Sequence, residues 1–293
     1  MSDYRPPVSD LLLVLEHVVD YSSVAALPGS ERAGLETVTG LLDECGALTG
    51  SGVFMAKVIA STNRASDTVG AAGDNTRAQR NADGSVAPPP GFVDAYRRYV
   101  DHGWGFIPFP EQSGGGFPHT VGLATQEMMP SVLMTFSLGS LLTQGAIDAL
   151  LHYGSDKQKT RSLPKMITGE WTGTMNLMGP QAGSDVDALT RRAVATRALA
   201  TDAESVGQRN AVSALSVEHR LAFRGSPTCM MAQDNVTGDL IGEENEGMRI
   251  RFHRMDITRL SVGMQELAIA ATGTGSAALA RALFAPSDNE RAR

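Results

Sequence analysis

Glu127, a carboxylate within an apolar stretch, and the pair Asp256 and Arg259, one helical turn apart, are the side chains whose types and spacing first suggest chemistry. A carboxylate in apolar surroundings could serve as a general base, but Glu127 is read here as a capped or paired carboxylate. Asp256 and Arg259, at i and i+3, form either an ordinary surface ion pair or a pair of contacts to a ligand. The six histidines show no His-x₃-His spacing, so they are read as core or surface residues and no metal is assigned. Gly114 to Gly116 lack the strand–Gly-x-Gly-x-x-Gly–helix context of a phosphate-binding turn. Met128, Met129, Met230 and Met231 are read as adaptable core filler. Cys45 and Cys229 are too few for a disulfide framework and are expected to be reduced and mostly buried.

These residues need elements to position them. Asp10 to Val19 reads as a helix capped by Ser9 or Asp10, and Glu36 to Leu48 as a second. Residues 61–90 are rich in Asn, Asp, Gly and Arg without any period, which predicts a surface loop closed by Pro88 to Pro90. Phe92, Tyr96 and Tyr99 fall at helical spacing. Val121–Met134 and Leu141–Leu151 give two more helices, the second ending at Gly154 in a left-handed cap. Ser155 caps a short helix that Leu163-Pro164 should end. At Trp171 the texture changes. Thr172, Thr174 and Asn176 alternate with Gly173, Met175 and Leu177, predicting a strand that runs into a Pro180-to-Asp185 loop. Residues 191–213 show neither clear alternation nor a helical stripe. Thr228–Ala232 and Asp239–Ile241 are short candidate strands, and Met248, Phe252, Met255, Leu260, Met264 and Leu267 recur at helical spacing to about Leu283.

Composition narrows the class. The net charge of −7, with no long basic run, argues against a nucleic-acid binder. No apolar run approaches the ~20 residues of a membrane span, and Met1 to Pro7 lack the order of a secretory signal, so a cytoplasmic protein is expected. Aromatics are only 5%, while Ala, Gly and Met abound, which favours packed helices over a large sandwich.

Several segments, in this order, resemble the acyl-CoA dehydrogenases, in particular the methylthioacyl and long-chain acyl-CoA subgroup. They begin with Tyr4-Arg5-Pro6-Pro7, Thr62-Asn63-Arg64 and Pro90-Gly91-Phe92-Val93-Asp94-Ala95-Tyr96-Arg97. Gly114 to Pro118, Leu142 to Ala146, Leu163 to Leu177 and Pro180 to Asp185 follow. Glu218-His219-Arg220, Arg224 to Thr228 and Ile241 to Met248 complete the set. The resemblance implies a mainly α protein with a partial β domain: residues 1–169 a helical domain, 170–245 part of a middle β-barrel, and 246–293 the start of a C-terminal helical bundle. It implies FAD as cofactor, held by Met175, Asn176, Leu177, Met178, Gly183 and Ser184, and an acyl-CoA thioester contacted by Ser184, Asp256 and Arg259. Backbone N–H groups along Met175 to Met178 suit a flavin because they are fixed in place and reorganise little as charge arrives. Gly183 allows close backbone approach to a pyrophosphate and Ser184 adds a hydroxyl donor. The implied reaction is α,β-dehydrogenation, in which a carboxylate removes the α-proton as the β-hydride passes to the flavin. An electron-transfer flavoprotein is the implied acceptor, within a homo-oligomer or a pairing with a full-length relative.

The sequence also departs from that pattern. Met178 and Gly179 stand where the family has a Thr-Glu pair, and a thioether cannot donate the hydrogen bond a hydroxyl would. Only about thirty residues separate Asp185 from Glu218, too few for the family's run of strands, so an incomplete barrel is expected. The segment Ala65 to Asp83 is longer and more polar than the family's. The region that would carry the catalytic Glu lies beyond Arg293, so no catalytic residue is assigned. The expectation is an FAD-linked acyl-CoA dehydrogenase with impaired or partial activity, used in fatty acid metabolism. The alternative is a non-catalytic relic that binds acyl-CoA or a partner.

Overall fold

The computed structural model describes residues 6–50, 77–111, 115–176, 195–196, 210–218 and 225–271. Three N-terminal helices open the chain: α1 (Val8–His17), α2 (Tyr21–Ala25) and α3 (Leu35–Gly50). The cap of α1 differs from expectation: Pro7 is the N-cap and no side chain bonds the first turn, so Ser9 and Asp10 already lie inside the helix. Asp20 takes a left-handed conformation (φ 50°) before α2, and the hydroxyls of Ser22 and Ser23 both donate to its carboxylate at 2.6 Å. Tyr21 is buried and its hydroxyl donates to the Ala33 carbonyl (2.9 Å), fastening α2 to the approach of α3.

The segment expected to be a structureless loop contains a small hairpin, β1 (Gln79–Arg80) against β2 (Val86–Ala87), turned at Asn81-Ala82-Asp83-Gly84. Two-residue strands are too short for alternation to show in sequence. Next come α4 (Phe92–Asp101), a 3₁₀ turn (Trp104–Phe106), α5 (His119–Tyr153) and α6 (Asp156–Ile167). The two predicted helices of this region are arms of α5, which breaks at Leu133 (φ −153°, ψ 93°), three residues after Pro130. A straight helix would hold Gln126 and Gln144 ~27 Å apart. Their side chains instead bond at 2.7 Å, so the arms fold back on one another. Gly154 is extended (φ −71°, ψ 147°) rather than left-handed, because the chain goes straight into the Ser155 cap of α6. That cap is a reciprocal box with Gln158, which satisfies two first-turn donors. Pro164 does not end α6. The helix runs three residues further to Ile167, and the Pro164 carbonyl accepts from Thr168 N at 3.1 Å.

Three apolar clusters form the core, and α5 threads them all. Leu11, Leu15, Val38 and Leu42 of α1 and α3 pack on Val121, Ala124 and Met128. Phe92, Ala95 and Tyr99 of α4 pack on Met129, Val132, Leu133 and Phe136, with edge-to-face rings 5.8 Å (Phe92–Phe136) and 6.2 Å (Tyr99–Phe136) apart. Phe109, Met166 and Ile167 close on Ile147 and Leu150.

Beyond α6 the structure thins. The described strands form two-stranded antiparallel ladders only: β3 (Ala195–Thr196) with β6 (Gly238–Asp239), and β4 (Val212–Val217) with β5 (Cys229–Gln233). The partial β domain is present. Strand β4 overlaps the stretch expected to lack strand character, where a bulge between Ala214 and Ser216 disrupts the alternation. Met230 is exposed, so it is not core filler. Contact with the helices runs through Arg161 Nη2 to Asp239 (2.8 Å), Gln158 Nε2 to the Leu240 carbonyl (2.7 Å) and Gly242 N to the Tyr153 carbonyl (3.1 Å). The last described helix, α7 (Gly247–Ala271), lies along α5. No described helix is long and apolar enough to cross a membrane.

Candidate functional site

Trp171 to Asn176 is neither helix nor strand and pairs with no described strand, contrary to the strand predicted there. It is held on α6 and on the C-terminal arm of α5. Trp171 N bonds the Lys165 carbonyl (2.9 Å), the Lys165 ammonium sits 4.8 Å above the Trp171 ring, and Gly173 N donates to Thr143 Oγ1 (3.1 Å). A Cβ on Gly173 would lie 2.6 Å from the Ala146 Cβ and 3.2 Å from the Leu142 carbonyl, so only glycine lets the backbone come this close. Thr172, Thr174, Met175 and Asn176 turn outward. The result is a ledge of backbone clipped to a helix. Leu177, Met178, Gly183 and Ser184 lie outside the described residues, as do Glu218's neighbours His219 and Arg220.

Asp256 and Arg259 form an ion pair (2.8 Å) on the exposed side of α7, with side chains 70% and 60% accessible. A pair this exposed adds little stability and is open to a ligand. The buried side of α7 differs from the predicted stripe. Phe252, Leu260 and Leu267 face outward, while Ser261, Gln265 and Ala268 pack against α5. This packed face is polar and small: Ser261 Oγ donates to Gln126 (3.3 Å), Gln265 Nε2 to Ser137 Oγ (3.4 Å), and Ser131 Oγ to the Ala268 carbonyl (3.2 Å). Between the helices lies a small cleft with room for about one water, lined by Met129, Ser137, Leu141, Met264 and Gln265 among others. Sequence reasoning missed it, although serine and glutamine at i and i+4 amid apolar residues were the available signal. A second hollow of similar size, between α4, α5 and α6, is walled by Tyr96, Tyr99, Phe106 and Met166.

The titratable groups add contrast. Burial lifts the Glu127 carboxyl above its usual range, with a smaller contribution from Asp10 across the α1 interface. Burial lowers His119, partly opposed by Asp148. Burial, helped by Glu44, pushes the Cys45 thiol up to about 12, which makes it an inert core residue. Glu127 stands away from both ledge and cleft, facing α1, and is no candidate base for them.

The arrangement is also recognisable by comparison. Residues 75–170 match the family model described as "Acyl-CoA dehydrogenase, N-terminal domain". The chain is similar to the 3-methylmercaptopropionyl-CoA dehydrogenase of Ruegeria pomeroyi, at 35% identity over 91% of this chain and 52% of that protein. It is similar also to a butyryl-CoA dehydrogenase of Syntrophomonas wolfei, at 27% identity over 72% of this chain and 43% of that one. Among solved structures, Caenorhabditis elegans ACDH-11 in complex with C11-CoA superimposes with a TM-score of 0.66 at 14% identity, covering 91% of this chain and 51% of that chain. The chain spans about half the length of the curated relatives it matches. It is a relative of the acyl-CoA dehydrogenases in sequence and in fold, and residues 75–170 are that family's N-terminal domain.

Proposed function

We propose that this chain binds FAD along the Trp171–Asn176 ledge and its continuation through Leu177, Met178, Gly183 and Ser184, and binds an acyl-CoA thioester beside Asp256 and Arg259. The observation that carries this is the Gly173–Thr143 clip, which holds a backbone segment with no described strand partner against α5. Such an edge suits a planar ring, because its N–H groups are preset and need no reorganisation. When bound, the flavin supplies hydride acceptance in α,β-dehydrogenation. The chain's own residues contribute binding and orientation: the ledge sets the ring plane, and Arg259, with Asp256 beside it, offers a cation to CoA phosphate or carbonyl oxygens. Met178 in place of a hydroxyl donor weakens the hold on the ring. Removal of the α-proton requires a positioned carboxylate, a role worth ~10²–10⁴ in rate, and no residue is assigned to it. An electron-transfer flavoprotein as acceptor, a cytoplasmic location and assembly into oligomers belong to the same proposal, as do the domain boundaries near residues 169 and 245.

The test is direct. Purified chain titrated with FAD becomes yellow, and anaerobic addition of a short acyl-CoA bleaches the flavin band. A protein that takes up no FAD and no acyl-CoA defeats the proposal. A second reading, a partner-binding chain without turnover, is favoured by the outward stripe of Phe252, Leu260 and Leu267, which are 44%, 58% and 62% exposed. Flavin uptake without bleaching, in a chain that self-associates, would select it.

A further inference from the structure

Strand β4, Val212 to Val217, carries no charge and no proline, and begins and ends on a β-branched valine. A run of this kind pairs readily with another strand wherever its backbone groups are free. Leu215, at the bulge, is 54% exposed and adds an apolar side chain. Among the described residues, β5 takes one edge of β4. Asp234 N donates to the Ala211 carbonyl (3.2 Å), which sets Ala211 and Ser213 as the bonded positions. Both backbone groups of Ala214 therefore point away from β5.

The β1–β2 hairpin meets them there. Ala214 N donates to the Gly84 carbonyl (3.2 Å), and the Ala214 carbonyl accepts from Arg80 Nε. One donor and one acceptor are thus satisfied at a single residue, as a third strand would do, and the Ala214 side chain is buried beneath. The hairpin tip is built without help from β4. Gly84 N bonds the Asn81 carbonyl (3.1 Å), Asn81 N bonds the Ser85 carbonyl (2.8 Å), and Ser85 N and Oγ both donate to Asp83 (2.9 and 2.6 Å). Its stems are rooted in the body by the buried Ala78 and Pro89. Gly84 is left-handed (φ 80°), and a Cβ on it would lie 3.4 Å from the Ser213 Cβ. We propose that this tip is an edge guard: by occupying both backbone groups of Ala214, it keeps β4 from pairing with β4 of a second copy of this chain. Two copies related by a two-fold axis would set these strands antiparallel, and an uncharged run meets itself without repulsion. The guard needs neither flavin nor acyl-CoA.

Two variants of the full chain loosen the guard. Gly84→Val puts a β-branched residue at a positive φ and strains the turn. Arg80→Met keeps the apolar stem and removes one bond. Hydrogen exchange at the Ala214 amide reads the contact, and light scattering over a concentration series reads association. In Gly84→Val the Ala214 amide should exchange about tenfold faster, and the mass should climb with concentration above that of the unaltered chain. Arg80→Met should show a smaller rise in both. Adding Leu215→Lys to either variant places a charge on the freed edge, so the mass falls back while the amide stays fast. An Ala214 amide as slow in both variants as in the unaltered chain overturns the contact and the guard with it. Fast exchange without added mass overturns the guard. So does association that Leu215→Lys leaves standing, because the copies would then pair elsewhere. If Gly84→Val loses helical circular dichroism, Arg80→Met decides by the same readings.

Discussion

The helical body before Gly169 and the strand region that follows it are held together by different means. In the body, buried apolar side chains from five helices converge on the two arms of α5, and Val38, Leu42, Val121 and Met128 are fully enclosed. In the strand region, Ala214 is the one buried apolar side chain among the described residues, and the longest ladder pairs five residues. A two-stranded ladder without an apolar face is marginal by itself. The body therefore carries the stability, while the ledge and strands are anchored by individual hydrogen bonds: Thr143 at one end, Arg161, Gln158 and Tyr153 at the other. The proposed flavin site sits at that junction, where a rigid element lends its order to a less densely packed one.

The largest expected effect comes from breaking the stronger side of that contrast. Ile147→Ala, at a position 1% exposed, leaves a cavity under α6 and should cost about 2–5 kcal/mol. The matching truncation in the strands, Met230→Ala at 56% exposure, should stay within about 0.5 kcal/mol. Urea unfolding of the whole chain compares the two, and equal losses would mean the strand region is as well packed as the body. Next in size is Gly173→Ala. Its methyl meets the Ala146 Cβ and must push the ledge off α5, so it should cost about 1–3 kcal/mol and weaken FAD uptake by about tenfold. Unchanged uptake would detach the ledge from flavin binding. Thr143→Val, smaller again, removes the hydroxyl that accepts from Gly173 and should cost about 1 kcal/mol, with a several-fold loss in FAD affinity in the same titration.

The same contrast governs what the sequence disclosed. Helices whose inner face is apolar were legible, because a 3.6-residue period prints the packing onto the chain: α3, α4 and both arms of α5 fall where Leu, Phe, Tyr and Val recur. Their junctions were not. Pro164 was expected to stop α6, yet the helix continues, and Gly154 was expected to be left-handed, yet the Ser155 cap draws it extended. Strand β4 was missed because a bulge between Ala214 and Ser216 shifts the register that alternation would reveal. Helix α7 was legible in existence, but the period did not say which side is packed. Its apolar stripe at Phe252, Leu260 and Leu267 faces outward, and its packed face is Ser261, Gln265 and Ala268. Apolar periodicity finds the face that needs covering; it does not say that the nearest helix covers it. The cleft polarity was legible through neither period nor resemblance, because it depends on which side of α7 meets α5.

The smallest effect concerns a half-buried carboxylate of the body. Glu127 lies against α1, where burial raises its carboxyl above the ordinary value of 4.5 and Asp10 adds to the shift. A carboxyl raised in the folded state holds a proton that the unfolded chain releases, so the folded form binds more protons in the window just above pH 4.5. Stability linked to Glu127 is then fully present below that pH and falls as pH rises through the raised value. At neutral pH the charge remains as a standing cost. Glu127→Gln removes the cost without changing the shape. The side chain is only partly buried, so solvent screening limits the gain to less than ~1 kcal/mol, or a rise of about 1–3 °C in Tm at pH 7. The difference between variant and unaltered chain should shrink towards zero by pH 4. A melting series from pH 4 to 8 reads both. A variant less stable at pH 7 would mean that Glu127 is held by a favourable contact of the body rather than tolerated within it.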